Sequence, residues 1–214
     1  MTKKITIVDY GLGNMLSIGL AVKHCGADAV FSNSPAEIKN ASYLILPGVG
    51  AFSAGMAQLN SLGIVDSLLE YAEMERPFLG ICLGMQMLLE SSNEFGHNAG
   101  LGIIPGKVEI IPTINNNHDF HKIPHIGWNN LILSSDKNTW SGTLLQNIGV
   151  GSSVYFLHSY LTILKNEKHC LANCDYNGIK IPAVLRRGLL YGCQFHPEKS
   201  GKVGLKIIHE FLKL

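Results

Sequence analysis

One short stretch constrains the fold of this chain more than any other. Phe78–Ile81 is a continuous apolar run typical of a buried strand, and the apolar residues within Met85–Leu89 then follow a helical spacing. Cys82 therefore lies at an abrupt strand-to-helix turn, with Gly80 and Gly84 two residues to either side. This pattern predicts a nucleophile elbow, because the glycines permit the turn and the helix start favours the thiolate. The alternative, a buried unreactive cysteine, does not account for the paired glycines.

A second motif, near the C-terminus, can supply the base that a cysteine nucleophile requires. His196 and Glu198 are two residues apart, so in extended backbone both side chains project to one side. A carboxylate there can orient the imidazole while the other ring nitrogen faces the sulfur. Taken alone, the pair also fits an exposed strand end beside Pro197. Together with the elbow, it predicts a catalytic triad of Cys82, His196 and Glu198.

The order of apolar segments indicates an α/β fold. Strand-like and helical segments alternate from residue 4 to residue 90, which predicts a parallel sheet covered by helices on both faces. Functional groups of such sheets lie at the carboxyl ends of the strands, where Cys82 and Pro47–Gly50 both fall. Beyond Gly96 the predicted elements are short strands and a final helix: Lys107–Ile111, Leu131–Leu133, Val154–Leu157, Ala183–Arg186, Leu190–Phe195, and Gly201–Leu214.

Composition narrows the class of protein. A chain of 214 residues with 46% hydrophobic residues can bury the core of one domain, expected to span 1–214. Its 17 basic and 16 acidic residues nearly cancel, which argues against nucleic acid or an anionic membrane as a partner. We expect a soluble cytoplasmic protein, because no apolar run is long enough to span a bilayer and no signal peptide is evident. Five sparsely spaced cysteines do not suggest a disulfide scaffold.

The histidines and cysteines outside the triad do not predict a metal site. Residues 115–121 are polar and expected to form an exposed loop, whose histidines together with His125 could suggest metal. No cysteine partner and no regular ligand spacing accompany them, so we expect no metal there. Cys170 and Cys174 are spaced for one strand face and are expected to pack rather than to bind zinc.

Three of these segments carry a resemblance to a known family. Gly80–Gln86, Phe195–Glu198 and Pro47–Phe52 resemble the elbow, base and oxyanion segments of the class I (triad) glutamine amidotransferase family. Four further segments are similar to the glutaminase subunits of histidine biosynthesis within that family: Asp9–Asn14, Pro124–Asn129, Tyr155–Tyr160 and Pro197–Ser200. The resemblance implies a mixed, mostly parallel sheet flanked by helices, with a smaller antiparallel portion in the second half.

The resemblance also implies roles for individual residues. The oxyanion would be bound by the N–H of Val49 or Gly50 beside that of Leu83, although an ordinary strand-to-helix turn also fits the residues 47–50 alone. The residues implied in binding glutamine are Gly50, Gln86, Glu94 and the backbone of Ser159 and Tyr160. Gln86 and Glu94 equally fit solvated helix and loop positions.

A partner subunit follows from the same resemblance. Ammonia released from glutamine would pass to a (β/α)8-barrel cyclase that makes imidazole glycerol phosphate, and the two chains would form a heterodimer without a cofactor. The positions implied at that interface are Asn14, Trp128, Tyr155 and Lys199. Trp128 could instead belong to the core and Lys199 could be only solvated.

Three other functions fit the sequence. A paralogous glutaminase could supply ammonia for the amidation of surface-polysaccharide sugars. A hydrolase or isomerase-like cysteine protein could act without glutamine, and a catalytically inactive chain could serve as a binding subunit. A separate hypothesis concerns coupling: the two glycines of Gly48–Gly50 would allow a peptide flip that completes the oxyanion hole when the partner binds its ligand.

Overall fold

The computed structural model describes residues 2–114, 120–135 and 138–214. The first part of the chain alternates strands and helices as predicted. In order, the elements are β1 Lys4–Val8, α1 Met15–His24, β2 Asp28–Ser32, α2 Pro35–Lys39, β3 Leu44–Leu46, α3 Phe52–Ser61, α4 Val65–Glu73, β4 Phe78–Ile81 and α5 Leu83–Met87. Most of the loop predicted at 115–121 lies outside the described residues.

The second part consists mainly of strands. They are β5 Leu89–Ser92, β6 Asn98–Ala99, β7 Ile104–Ile110, β8 His125–Asn130, β9 Ile132–Leu133, β10 Ser153–His158, β11 Tyr160–Leu164, β12 Cys170–Tyr176, β13 Ile179–Arg187 and β14 Leu190–Cys193. The final helix is α6 Gly201–Phe211, and short 3₁₀ turns occur at Glu167–His169 and Pro197–Lys199.

The central sheet has the order β2-β1-β3-β4-β14-β13-β12-β9. Its first five strands pair in parallel and its last three in antiparallel orientation. Two smaller sheets, β10-β8 and β11-β7-β5-β6, complete the second half. The predicted fold class, a mostly parallel sheet with a smaller antiparallel portion, is therefore confirmed.

Alternation along the strands separates two apolar layers. Ile45 of β3 packs with α1 and α6 on one face of the sheet, whereas Leu44 and Leu46 pack with α2, α3 and α4 on the other. Both faces are covered, which explains why the parallel strands are almost continuously apolar. Each fully buried aliphatic side chain contributes about 1.5–3 kcal/mol relative to exposure.

Local signals place the helix starts. Asn14 caps α1 by accepting a hydrogen bond from the N–H of Ser17, and Ser34 caps α2 by accepting one from Glu37 N–H, with Pro35 at the first helical position. Asn and Ser are residue types favoured at the N-cap, and Pro is favoured at the first helical position. Among the described residues, every helix is too short or too polar to cross a lipid bilayer.

Several sequence-based boundaries were wrong. The helix after Cys82 ends at Met87, and Leu89 starts β5 instead of extending the helical face. The strand predicted to reach Phe195 ends at Cys193. No prediction covered β5, β6, β8 or β11; β8 and β11 pair with strands distant in sequence, whereas β5 and β6 are only four and two residues long.

Candidate active site

Cys82 stands at a strained turn between β4 and α5. Its backbone has φ 53° and ψ −110°, the left-handed region that non-glycine residues seldom adopt. The turn is anchored to the next strand, because the N–H of Cys82 donates to the carbonyl of Cys193 at 2.7 Å. A side chain at Gly84 would bring its Cβ within 1.9 Å of the Leu46 carbonyl oxygen, so only glycine fits there. The predicted elbow geometry is present.

His196 and Glu198 follow the end of β14, the strand next to β4. Nδ1 of His196 lies 2.8 Å from Oε1 of Glu198, and the two side chains are 3% and 1% exposed. The carboxylate therefore fixes the ring and the hydrogen on Nδ1. Nε2 of His196 is buried and, within the described part of the chain, has no well-aligned hydrogen-bond partner. The ring lines the same cavity as Cys82.

The electrostatics of this pair favour a charged imidazole. Burial by itself lowers the pKa of His196, but interactions with the Cys82 sulfur and the Glu198 carboxylate outweigh it and raise the pKa to about 10. A protonated ring beside a sulfur stabilises the thiolate, which is the nucleophilic form. The arrangement can therefore supply an activated sulfur nucleophile and a proton donor to the same bound molecule.

The cavity beside Cys82 has a volume of about 260 Å³. It collects nine of the residues that the sequence singled out: Val49, Gly50, Cys82, Leu83, Gln86, Glu94, Ser159, Tyr160 and His196. Pro124, Leu157 and His158 also line it and were not predicted. Its size suits a small polar metabolite rather than a polymer.

The segment after β3 packs closely on the elbow. A side chain at Gly48 would meet the Tyr10 hydroxyl at 2.5 Å, Leu83 Cβ at 2.8 Å and Gly84 N at 2.9 Å. Tyr10 holds the segment by donating its hydroxyl to the Pro47 carbonyl at 2.8 Å. Gly50 has φ +97°, so the backbone turns into the cavity in a conformation that favours glycine.

A chain of side-chain amides runs along the cavity floor. Gln86 Nε2 donates to the Tyr160 carbonyl at 3.1 Å and to Gln194 Oε1 at 3.0 Å. Gln194 Nε2 in turn lies 3.8 Å from Cys82 Sγ. Sequence reasoning did not single out Gln194. Its position two residues before His196 was the available signal, since it places both side chains on one side of extended backbone.

Glu94 closes another side of the cavity. Its side chain accepts a hydrogen bond from the N–H of Phe52, at the start of α3, with a donor–acceptor distance of 2.6 Å. The residue is 8% exposed, so its carboxylate is a buried acid at the edge of the cavity instead of a solvated loop residue. A carboxylate in this place can pair with a cationic group of a bound molecule.

The four residues predicted at a partner interface lie outside the cavity. Trp128 is 59% exposed and its ring contacts Tyr155 edge-on, with centroids 6.0 Å apart. Lys199 is exposed in the 3₁₀ turn that carries Glu198, and α1, capped by Asn14, packs against that turn. Trp128 is thus not a core residue.

Metal ligands and disulfides do not define this site. Across 2–114, 120–135 and 138–214, there is no group of three or more His, Cys, Asp or Glu side chains placed to hold a metal ion. Cys25, Cys82, Cys174 and Cys193 form no disulfide. Burial raises the pKa of Cys174 to about 12, consistent with packing. His118 lies outside the described residues.

Known proteins resemble this chain over nearly its whole length. The family model for glutamine amidotransferase class-I matches residues 6–214. Imidazole glycerol phosphate synthase subunit HisH 1 of Legionella pneumophila (strain Lens) is 48% identical over 210 residues, 98% of this chain and 99% of that protein. Imidazole glycerol phosphate synthase hisHF, chloroplastic, of Arabidopsis thaliana is 42% identical over 97% of this chain and 34% of that longer protein.

Solved structures agree on the fold. A crystal structure of glutamine amidotransferase superposes with a TM-score of 0.72 at 18% identity, covering 97% of both chains. At 18% identity that likeness shows the fold alone, whereas the relatives at 42–48% identity match 97–98% of this chain. The chain therefore belongs to the glutamine amidotransferase class-I family and, within it, to the HisH subunits of imidazole glycerol phosphate synthase.

Proposed function

We propose that this chain is a cytoplasmic glutaminase subunit that hydrolyses glutamine to glutamate and passes the ammonia to a (β/α)8-barrel cyclase partner. In that complex the ammonia is used to make imidazole glycerol phosphate in histidine biosynthesis. The observation that carries the proposal is the cavity that Cys82 and His196 line together, with the carboxylate of Glu198 behind the ring. Residues 1–214 act as one glutamine amidotransferase domain.

The first half of the reaction forms a thioester. The Cys82 thiolate attacks the side-chain amide carbon of glutamine, and a C–S bond forms as the carbonyl becomes an oxyanion. The N–H groups of Leu83 and of Val49 or Gly50 stabilise that oxyanion, each donor contributing about 2.7–4 kcal/mol in comparable sites. The C–N bond then breaks, and the proton on His196 Nε2 leaves with ammonia.

The second half releases glutamate. His196, now neutral, takes a proton from a water molecule as the water attacks the thioester carbon. The C–S bond breaks, the sulfur returns as thiolate, and the ring keeps the proton. Glu198 holds the ring throughout and stabilises its charged form, as its 2.8 Å contact to Nδ1 indicates. Glutamine and water thus become glutamate and ammonia.

The cavity offers partners for the charged groups of glutamine. The buried Glu94 carboxylate suits the α-ammonium, while backbone N–H groups of Ser159 and Tyr160 suit the α-carboxylate. The amide nitrogen of Gln86 donates its two hydrogens to the Tyr160 carbonyl and to Gln194 Oε1, which leaves the amide oxygen of Gln86 as an acceptor. Gly50 contributes backbone in a positive-φ conformation that residues with a side chain rarely adopt.

The partner would dock where apolar side chains are exposed beside the cavity. Trp128 and Tyr155 form a cross-strand pair on the β8–β10 ribbon, as do Ile126 and Leu157. Leu157 is 38% exposed and also lines the cavity, so this face borders the place where ammonia is released. Asn14 and Lys199 supply polar contacts at its edge. The Arabidopsis relative, of which this chain matches 34%, supports association with a second unit.

The glutaminase proposal is tested by replacing Cys82 with a residue that has no sulfur. Cys82→Ala, assayed with its cyclase partner, should form no measurable glutamate, because no thioester can arise. Cys25→Ala is the matched control, since Cys25 is a half-buried thiol that does not line the cavity and whose Sγ donates to the Leu205 carbonyl. Unaltered glutamate formation by Cys82→Ala would contradict the proposal.

The identity of the ammonia acceptor needs a separate experiment. The gene for this chain should restore growth of a histidine auxotroph that lacks the equivalent subunit. Glutaminase activity without such complementation would contradict the histidine role and favour a sugar-modification partner. Steady-state turnover with and without the ligand-loaded partner tests the peptide flip proposed at Gly48–Gly50, and equal turnover would contradict it.

A further inference from the structure

Two buried histidines face each other directly across the β8–β10 ribbon. His125 is the register partner of His158, and Nδ1 of His125 lies 3.0 Å from Nε2 of His158. They are only 2% and 7% exposed, and His158 lines the cavity. Neither ring takes part in the proposed proton transfers. Their arrangement therefore requires a different explanation.

The direction of their hydrogen bonds is determined by the acceptor at one end. Nδ1 of His158 lies 2.8 Å from the Tyr160 carbonyl oxygen, which can only accept, so Nδ1 carries the hydrogen. Burial lowers the pKa of His158 to about 3 and that of His125 to about 4, and both rings are neutral near pH 7. Nε2 of His158 is then an acceptor, and His125 Nδ1–H donates to it.

The other end of this row of hydrogen bonds, at His125 Nε2, also has a partner. The Asn129 amide donates to His125 Nε2 at 3.4 Å and to the Asp175 carbonyl at 2.7 Å. His125 is stacked between Tyr176 and Phe156, with ring centroids 4.0 and 4.7 Å away. The imidazole can therefore neither rotate nor exchange its donor and acceptor without losing several contacts at once.

The inner end meets the glutamine pocket. The Tyr160 carbonyl accepts from His158 and, at 3.1 Å, from Gln86, so both of its lone pairs are used. Gln86 continues to Gln194, whose Nε2 lies 3.8 Å from Cys82 Sγ. A change in the position of His158 would thus move the wall formed by Ser159 and Tyr160.

We propose that His158 is a positioning residue that holds the Ser159–Tyr160 wall for glutamine, with His125 and Asn129 as its support. This inference rests on the proposed function and assigns a role that the triad does not include. It predicts that the Nδ1–H of His158, rather than the bulk or polarity of the side chain, determines affinity for glutamine. The competing explanation is a histidine pair that only fills the core.

Two polar replacements distinguish these explanations. His158→Asn places an amide N–H near the position of Nδ1 and can still bond the Tyr160 carbonyl, whereas His158→Gln places it near Nε2 and cannot. His169→Asn and His169→Gln form the matched control pair, because His169 Nδ1 also bonds a backbone carbonyl, that of Arg186 at 3.0 Å, away from the cavity. Neither His169 variant should differ from the wild type in its affinity for glutamine.

The measurement is the alkylation of Cys82 by iodoacetamide at increasing glutamine concentration, followed by mass spectrometry of its peptide. His158→Gln should raise the half-protecting glutamine concentration about tenfold, the loss expected for one buried hydrogen bond, and His158→Asn about threefold at most. Without glutamine, both variants should be alkylated within about twofold of the wild-type rate, because His196 and Glu198 are untouched.

Two results would overturn the positioning role. One is equal half-protecting concentrations for His158→Asn and His158→Gln. The other is a fall in the alkylation rate without glutamine that parallels the loss of protection, which would indicate general disruption. The proposed function fails differently, since it is contradicted when the wild-type chain with its partner forms no glutamate.

Discussion

Two regions that line the cavity each bury a histidine, and the pKa values of the two rings shift in opposite directions. Burial lowers the pKa of His158 to about 3, while at His196 the same effect is outweighed and the pKa rises to about 10. The difference lies in the partners. His158 meets a carbonyl and a neutral ring, whereas His196 meets the Glu198 carboxylate and the Cys82 sulfur.

This contrast shows that burial alone does not assign a role to a histidine. An anion within hydrogen-bond distance makes the ring an acid that can deliver a proton. Without one, a buried ring remains neutral and acts as a directed donor and acceptor, suited to holding backbone in place.

The largest effect is expected from removing the carboxylate. Glu198→Gln keeps the shape of the side chain but withdraws the charge that stabilises the imidazolium, so His196 should come to resemble His158. We expect kcat for glutamate formation to fall about 10²- to 10⁴-fold. Steady-state kinetics with the partner present give the value. Less than a tenfold loss would mean that Glu198 is not the group that charges the ring.

A smaller effect is expected from the amide that connects the two regions. Gln194→Leu removes the donor 3.8 Å from Cys82 Sγ and the acceptor of Gln86, and kcat should fall about tenfold. Gln146→Leu is the matched control, because Gln146 bonds Glu210 far from the cavity. Equal kinetics for the two variants would contradict a role for the amide chain.

The smallest expected effect is on the pH dependence of the free energy of unfolding. The pKa of folded His158 lies below its ordinary value near 6.5, so its stability contribution is present above pH 6.5 and is lost as pH falls toward 3. The contribution of His196 to the free energy of unfolding has the opposite pH dependence. It is complete below pH 6.5 and is lost as pH rises toward 10. Each slope is at most about 1.4 kcal/mol per pH unit.

Denaturant unfolding across this pH range separates the two contributions. His158→Asn should flatten the loss of unfolding free energy on the acid side only, and Glu198→Gln should flatten it on the alkaline side only. If both variants flattened the same side, the assignment of opposite charge states to the two histidines would be wrong.

The turn at Cys82 was predictable because its information is local. Cys82 lies between glycines two residues away, and Glu198 lies two residues from His196, so spacing and backbone geometry sufficed to group them. Parallel strands then brought the two motifs to one sheet edge, since β4 and β14 are neighbours.

The histidine pair was not predictable in the same way. His125 and His158 meet only through the antiparallel register of β8 and β10, and the sequence offered no strand prediction for β8. The sequence indicated His125 as part of the family-like segment Pro124–Asn129 and as a possible metal ligand, without any link to His158. Gln194 was not among the predicted site residues although it lies two residues before His196, because a neutral amide does not indicate an acid or a base.

The most direct test of this account is the protonation state of His196, measured by ¹⁵N NMR of its ring at pH 8 in the wild-type chain. The account predicts an imidazolium with hydrogen on both nitrogens, while His158 in the same spectrum is neutral with hydrogen on Nδ1. A neutral His196 at that pH would contradict the thiolate–imidazolium pair on which the proposed glutaminase chemistry depends.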